Sequence, residues 1–326
     1  MINLIFNEQL KLFRKKRLFV IILIVACLVP IFTYAQYKDV KTTQKKMGTS
    51  DWRVQLQQEI VDIQNRLTSS RLPEDYEKYF KIRLAQQQYY LDHNINPNAP
   101  GAPSFMRVFV DNAIGLLLPL LVMVIAADLV SSEASGGTIK LLLTRPVKRW
   151  QILLSKYIAL IYSISFIILC VALLTYLMSG VVFGYSGWNM PMLTGFSTNG
   201  SELTTTNVHT IPQWKYIIME FGLAWFVSIV VGSLTFMLSV LLRSTAAVMG
   251  IMLSALIAGA ILVNMVSSWE SAKYLFMVNL QLTNYVNGSS PPIEGMTLGF
   301  SMVVLLVWLI LSLITSFVVF TKRDVY

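Results

Sequence analysis

Along this chain the apolar residues gather in six long blocks, not in the one-sided stripe of a soluble helix or the alternation of a strand. About 20 apolar residues in helical form cross the ~30 Å hydrocarbon layer of a bilayer. The blocks therefore predict membrane spans at residues 18–36, 107–130, 151–185, 214–242, 244–269 and 298–321. No charge interrupts Tyr157 to Tyr185, a stretch of ~43 Å at ~1.5 Å per residue, so this span tilts or emerges from the bilayer. Blocks four and five meet at Arg243. Joined as one helix they would exceed twice the bilayer thickness, so a turn is expected near Arg243–Thr245. The expected fold is an all-α polytopic membrane protein.

The segments between the blocks carry their own patterns. In residues 1–17, Ile2, Ile5, Phe6, Leu10 and Phe13 recur at three- and four-residue steps, which predicts an amphipathic helix along the interface. Residues 37–106 hold Trp52, Leu56, Ile60, Ile63 and Leu67 at helical spacing, then Tyr76, Phe80, Leu84 and Leu91 on a second helix. Two such stripes predict an antiparallel helical hairpin, after which Pro97, Pro100 and Pro103 break helicity. Residues 186–213 are rich in Gly, Thr, Ser and Asn and predict a loop. Residues 270–297 are semi-polar and aromatic, which suits a short re-entrant or interfacial helical pair. A five-residue tail, 322–326, follows the last span.

Charge sets the expected orientation. With the N-terminus inside, the short inner connections hold thirteen Lys and Arg and the short outer ones two, Lys215 and Lys273. Basic residues mark the cytoplasmic side, so both termini are expected there and the hairpin outside, in a bacterial plasma membrane. The net charge of +9 sits beside span ends, which points to anionic membrane lipid and not to nucleic acid.

Composition narrows the chemistry. The chain is 55% hydrophobic and 13% charged, with two His and two Cys. No metal-ligand spacing is present, and none of the 17 glycines precedes a lysine, so the phosphate-cradling G-x-x-x-x-G-K-[ST] loop is missing. The chain itself is expected to bind no cofactor and to be no enzyme. Cys27 and Cys170 fall in apolar blocks and are expected as small core residues. Ile24 to Cys27 has the look of a lipoprotein cleavage box, but apolar sequence runs on to Tyr34, so a full span is expected.

The connection at 131–150 is the most machine-like. Gly136-Gly137 permits a sharp turn, Thr138 can cap a short helix, and Ile139, Leu142 and Leu143 share one side of it. Arg145-Pro146 ends it, because the residue before proline disfavours helix. A short helix held by turns between two spans is a lever: force on it moves both. The run Glu133-x-x-x-Gly137-Thr138-Ile139-Lys140-Leu141-Leu142-Leu143-Thr144-Arg145-Pro146-Val147-x-Arg149 resembles the signature of type-2 ATP-binding-cassette (ABC) exporter permeases, and it stands between spans two and three as in that family. An N-terminal interfacial helix, six spans, helices before the last span and no nucleotide site extend the resemblance.

The resemblance implies that Glu133, Gly137, Thr138, Ile139, Leu142, Arg145, Pro146 and Arg149 dock into a separate ATPase. Two copies of that subunit would hold the ATP and magnesium, and a second permease chain would complete a homodimer or heterodimer. The large segment 37–106 departs from the short connection of many members. Asp111, Asp128 and Glu220 lie toward span ends as secondary candidates for a transport pathway. Other expectations are an ABC-type sensing complex with the hairpin as receptor, an ion-driven secondary transporter, or a membrane-embedded enzyme, the last weakened by His93 and His209 both lying outside.

Overall fold

The computed structural model describes residues 1–322 apart from 48–50, 70–73, 98, 137–146, 196, 200–201, 205–207, 264, 266–268, 290 and 294. The described chain is 80% helical. Helices α1 (Ile2–Arg14), α2 (Arg17–Met47), α3 (Trp52–Ser69), α4 (Glu74–Asp92), α5 (Ala102–Ala113) and α6 (Leu117–Ser135) come first. Helices α7 (Arg149–Phe183), α8 (Gln213–Leu241), α9 (Thr245–Leu262), α10 (Asn284–Asn287) and α11 (Leu298–Lys322) follow. Six of them, α2, α6, α7, α8, α9 and α11, are long and apolar enough to cross a membrane. The chain is a multi-pass membrane protein.

Helices α6 and α8 form the centre of the bundle. Two-thirds of each crossing window is buried, against less than a third for α2, α9 and α11. Between lipid-bathed helices the apolar effect supplies no association, so close packing and polar contacts hold the bundle together. The centre is built that way. Ser228, Gly232, Ser233, Thr235 and Ser239 face inward on α8, and a Cβ on Gly232 would stand 2.9 Å from Ile164 Cδ1 and 3.1 Å from Val122 Cγ1. Tyr157 of α7 and Ser233 of α8 meet at 2.9 Å between their hydroxyls.

The second apolar block is not one helix. It divides at 114–116 into α5 and α6, where the sequence pattern predicts a continuous span over 107–130. The reason lies in Pro119. In a continuous helix its ring would clash with the carbonyl of residue 115 and leave it without a donor; a break before Leu117 places Pro119 in the first turn of α6, where no N–H is needed. The bend also seats Gly115 against Gln281, whose Cγ would lie 2.9 Å from an added Cβ.

Other segments add detail to the expectation. A left-handed residue, Lys16 (φ +56°), separates α1 from α2, so α1 is no inward extension of the first span. Ser244 accepts a hydrogen bond from the Ala247 amide at 3.3 Å and starts α9. The loop after α7 carries two small antiparallel ribbons: β1 (Pro191–Thr194) with β4 (His209–Pro212), and β2 (Ser197–Asn199) with β3 (Glu202–Thr204). The segment expected as a short re-entrant or interfacial helical pair holds 3-10 turns at Glu270–Tyr274 and Phe276–Asn279, then the one-turn α10. Cys27 is exposed and Cys170 half-buried, so neither is a core residue.

Helices α3 and α4 pack against each other. Leu56, Ile60 and Ile63 are buried as their spacing implies, whereas on α4 the fully buried residue is Ile82, with Phe80, Leu84 and Leu91 only partly covered. The hairpin rests on the far end of the bundle from α1: the Gln86 amide donates to the carbonyls of Asn287 and Gly288 at 3.3 and 2.8 Å.

Candidate functional site

The expected coupling segment falls largely outside the described residues: Gly137, Thr138, Ile139, Leu142, Arg145 and Pro146 all lie in 137–146. Its two flanks are described. Glu133 sits in the last turn of α6, and Arg149 opens α7, where its Nη1 makes a long hydrogen bond of 3.4 Å to the Thr321 carbonyl near the end of α11.

Glu133 is one corner of a closed ring of charges. Its Oε1 accepts from Lys11 Nζ at 3.0 Å and its Oε2 pairs with Lys156 Nζ at 2.7 Å. Glu8 does the same with its two oxygens, 2.8 Å from Lys11 and 2.8 Å from Lys156. Each carboxylate thus gives one oxygen to each lysine. Lys156 is 1% exposed, and it also donates to the Leu129 carbonyl at 3.2 Å. A buried ammonium costs several kcal/mol of desolvation unless its partners compensate it, and here two carboxylates and a carbonyl surround it. Burial pushes Glu8 upward, but Lys156 and Lys11 outweigh it and hold its carboxyl below the ordinary value. Burial likewise opposes the charge on Lys11, yet Glu8 and Glu133 raise it above the ordinary lysine value.

A second clasp lies one turn up α6. Asp128, 2% exposed, pairs with Lys15 at 2.7 Å and with Arg17 at 2.9 Å. The chain on either side of the α1–α2 corner is therefore tied to α6 twice. Ser239 of α8 accepts from the Val130 and Ser131 amides at 3.1 and 2.9 Å and donates to the Ala127 carbonyl. Ser131 and Thr245 of α9 meet at 2.7 Å. The α6 end is thereby tied to α1, α7, α8 and α9.

The three secondary candidates separate. Asp128 belongs to the clasp just described. Asp111 and Glu220 come together at the opposite end, from α5 and α8. Asp111 faces Glu220, Thr283 and Asn287, with Arg107 nearby. Glu220 is fully buried, and among the described residues no hydrogen-bond donor reaches either of its oxygens. Above the pair, beneath the hairpin, a polar cavity of about 190 Å³ is lined by Arg83, Gln86, Tyr90, Arg107, Tyr216 and Asn287 among others. Nearby, His93 stacks on Tyr89 at 3.9 Å between ring centroids.

Glu8, Lys11 and Lys156 were not among the expected site residues. Two signals mark them in retrospect: Glu8 is the sole acid in residues 1–17, and Lys156 is a charge about two turns inside a 35-residue apolar helix. Among the described residues no group of three or more His, Cys, Asp or Glu is placed to hold a metal.

Residues 78–326 match the model of a family described as DUF2705, a protein of unknown function. The chain belongs to the DUF2705 family. It is 28% identical to the uncharacterized protein YhcI of Bacillus subtilis over all of this chain and 99% of that relative. It is also 29% identical to the uncharacterized membrane protein YdbK of the same organism, over 65% of this chain and 80% of the relative.

Proposed function

We propose that this chain is the permease subunit of an ABC-type exporter in the bacterial plasma membrane, moving its substrate with ATP hydrolysed by a separate subunit. The observation that carries the proposal is the ion-pair ring. It locks α1 to the two spans that flank residues 137–146, so a push delivered there is shared by the bundle. Two ATPase copies, holding ATP and magnesium, close against the 137–146 segments of two permease chains and shift the spans around the pathway between them. Glu133 and Arg149 hold the flanks of the docking segment; Thr138, Ile139, Leu142 and Arg145 meet the ATPase. Photo-cross-linking from Thr138 and Leu142 in whole cells tests this. Capture of a nucleotide-hydrolysing protein at both positions is expected; capture of none, or labelling of these positions from outside the cell, refutes it.

The polar cavity under the hairpin favours a second reading, a sensing subunit that uses the same ATPase. Ligand-stimulated ATP hydrolysis in proteoliposomes without movement of solute would select it over export. The Asp111–Glu220 pair is the feature an ion-driven transporter would use, and transport that follows an imposed ion gradient without ATP would select that alternative.

A further inference from the structure

A groove of about 520 Å³ runs between α1 and α7. Ile5, Phe6 and Phe13 form one wall, Tyr162 and Phe166 the other, with Leu18 at the corner. Gln9 also reaches it, but its amide nitrogen is spent on the Ala159 carbonyl at 2.9 Å, which leaves the lining apolar. Phe13 closes the end nearest the α1–α2 corner, its ring edge-on to Phe166 at 6.1 Å and to Phe19 at 6.2 Å. Glu8 and Lys11, on another side of α1, are held in the ion-pair ring. An apolar cavity of ~150 Å³ accommodates a benzene; one several times larger suits a length of hydrocarbon chain.

Charge beside the groove is unbalanced. Of the five bases between Lys11 and Arg17, Lys11, Lys15 and Arg17 are bound to Glu8, Glu133 and Asp128. Arg14 and Lys16, next to Phe13 at the closed end, are exposed, and neither has an acidic partner among the described residues. An occupant matching both features is apolar along its length and anionic at one end.

We propose that the groove seats one acyl chain of an anionic phospholipid from the surrounding leaflet, with its phosphate-bearing headgroup at Arg14 and Lys16. The site is independent of the transport proposal. It gives α1 a lipid-filled face opposite the charges that bind it to α6 and α7, so the headgroup composition of the leaflet bears on how firmly α1 sits.

The test is native mass spectrometry of the full chain, delipidated in detergent and offered equimolar phosphatidylglycerol and phosphatidylcholine. One retained phosphatidylglycerol, favoured on the order of tenfold, is expected for two headgroup cations. Arg14→Gln with Lys16→Gln should equalise the two lipids while retention persists. Ile5→Trp, which fills the groove, should abolish retention of both, and soluble glycerol phosphate should not compete. Equal retention of the two lipids by the unaltered chain overturns the proposal. So does retention that survives Ile5→Trp, full competition by glycerol phosphate, or a polypeptide, including a second copy of this chain, displaced by Ile5→Trp.

Discussion

Lys156 Nζ lies 2.7 Å from Glu133 Oε2, bridging the two helices whose connection is the expected docking segment. Both groups are largely withdrawn from solvent, and the same lysine reaches Glu8 at 2.8 Å. Removing one member of a buried pair strands the other, at a cost of about 3–5 kcal/mol. Lys156→Met should therefore lower the thermal midpoint of the purified chain sharply. Adding Glu8→Gln and Glu133→Gln to Lys156→Met should recover much of the loss, and a triple variant no more stable than the single would show that the ring is not the stabilising unit.

Glu133 consequently has two roles to separate. A Glu133→Gln variant that loses ATPase contact reports on structure as much as on docking. Leu142→Asp is the cleaner probe, because it introduces a charge into the docking segment without touching the ring. Expected is retained membrane insertion and thermal stability with transport-linked ATP hydrolysis lost; unchanged coupling in this variant counts against the docking assignment.

The ring also fixes a pH signature. Glu8 is held below its ordinary value of 4.5 by Lys156 and Lys11, so its contribution is complete above 4.5 and is lost as pH falls through the lower folded-state value. Lys11 is held above its ordinary 10.5, so its contribution is complete below 10.5 and is lost as pH rises through the higher folded-state value. Thermal midpoints measured across pH should form a plateau with acid and alkaline limbs, and Glu8→Gln should flatten the acid one.

At the other end, the positive charge of Arg107 acts on both facing carboxyl groups, Asp111 and Glu220. Arg107→Met should lower the thermal midpoint of the chain. Asp111→Asn should relieve most of that loss when combined with it. Melting curves of the two singles and the double decide this, and additive losses would dissociate the arginine from the pair.

Gly232 sits where α6, α7 and α8 pack together. Gly232→Val should cost about 1–3 kcal/mol through overpacking against Ile164 and Val122, read as a lower melting temperature and more aggregate on size-exclusion chromatography. A neutral result would mean that the three helices part more readily than their packing implies.

The sequence by itself determined the six apolar helices, because each block holds enough apolar residues to cross a bilayer, where helix satisfies every backbone group. It also determined the stripe of α3, since Leu56, Ile60 and Ile63 can be buried together only on a helix. Tertiary structure alone decided which charges meet. Glu8, Glu133 and Lys156 lie 125 and 23 residues apart, Asp111 and Glu220 lie 109 apart, and no local spacing encodes either meeting. It also decided that Asp128 is a clasp and that Pro119 begins a helix instead of bending one, because a kink and a break leave the same local sequence and differ only in what Gly115 packs against.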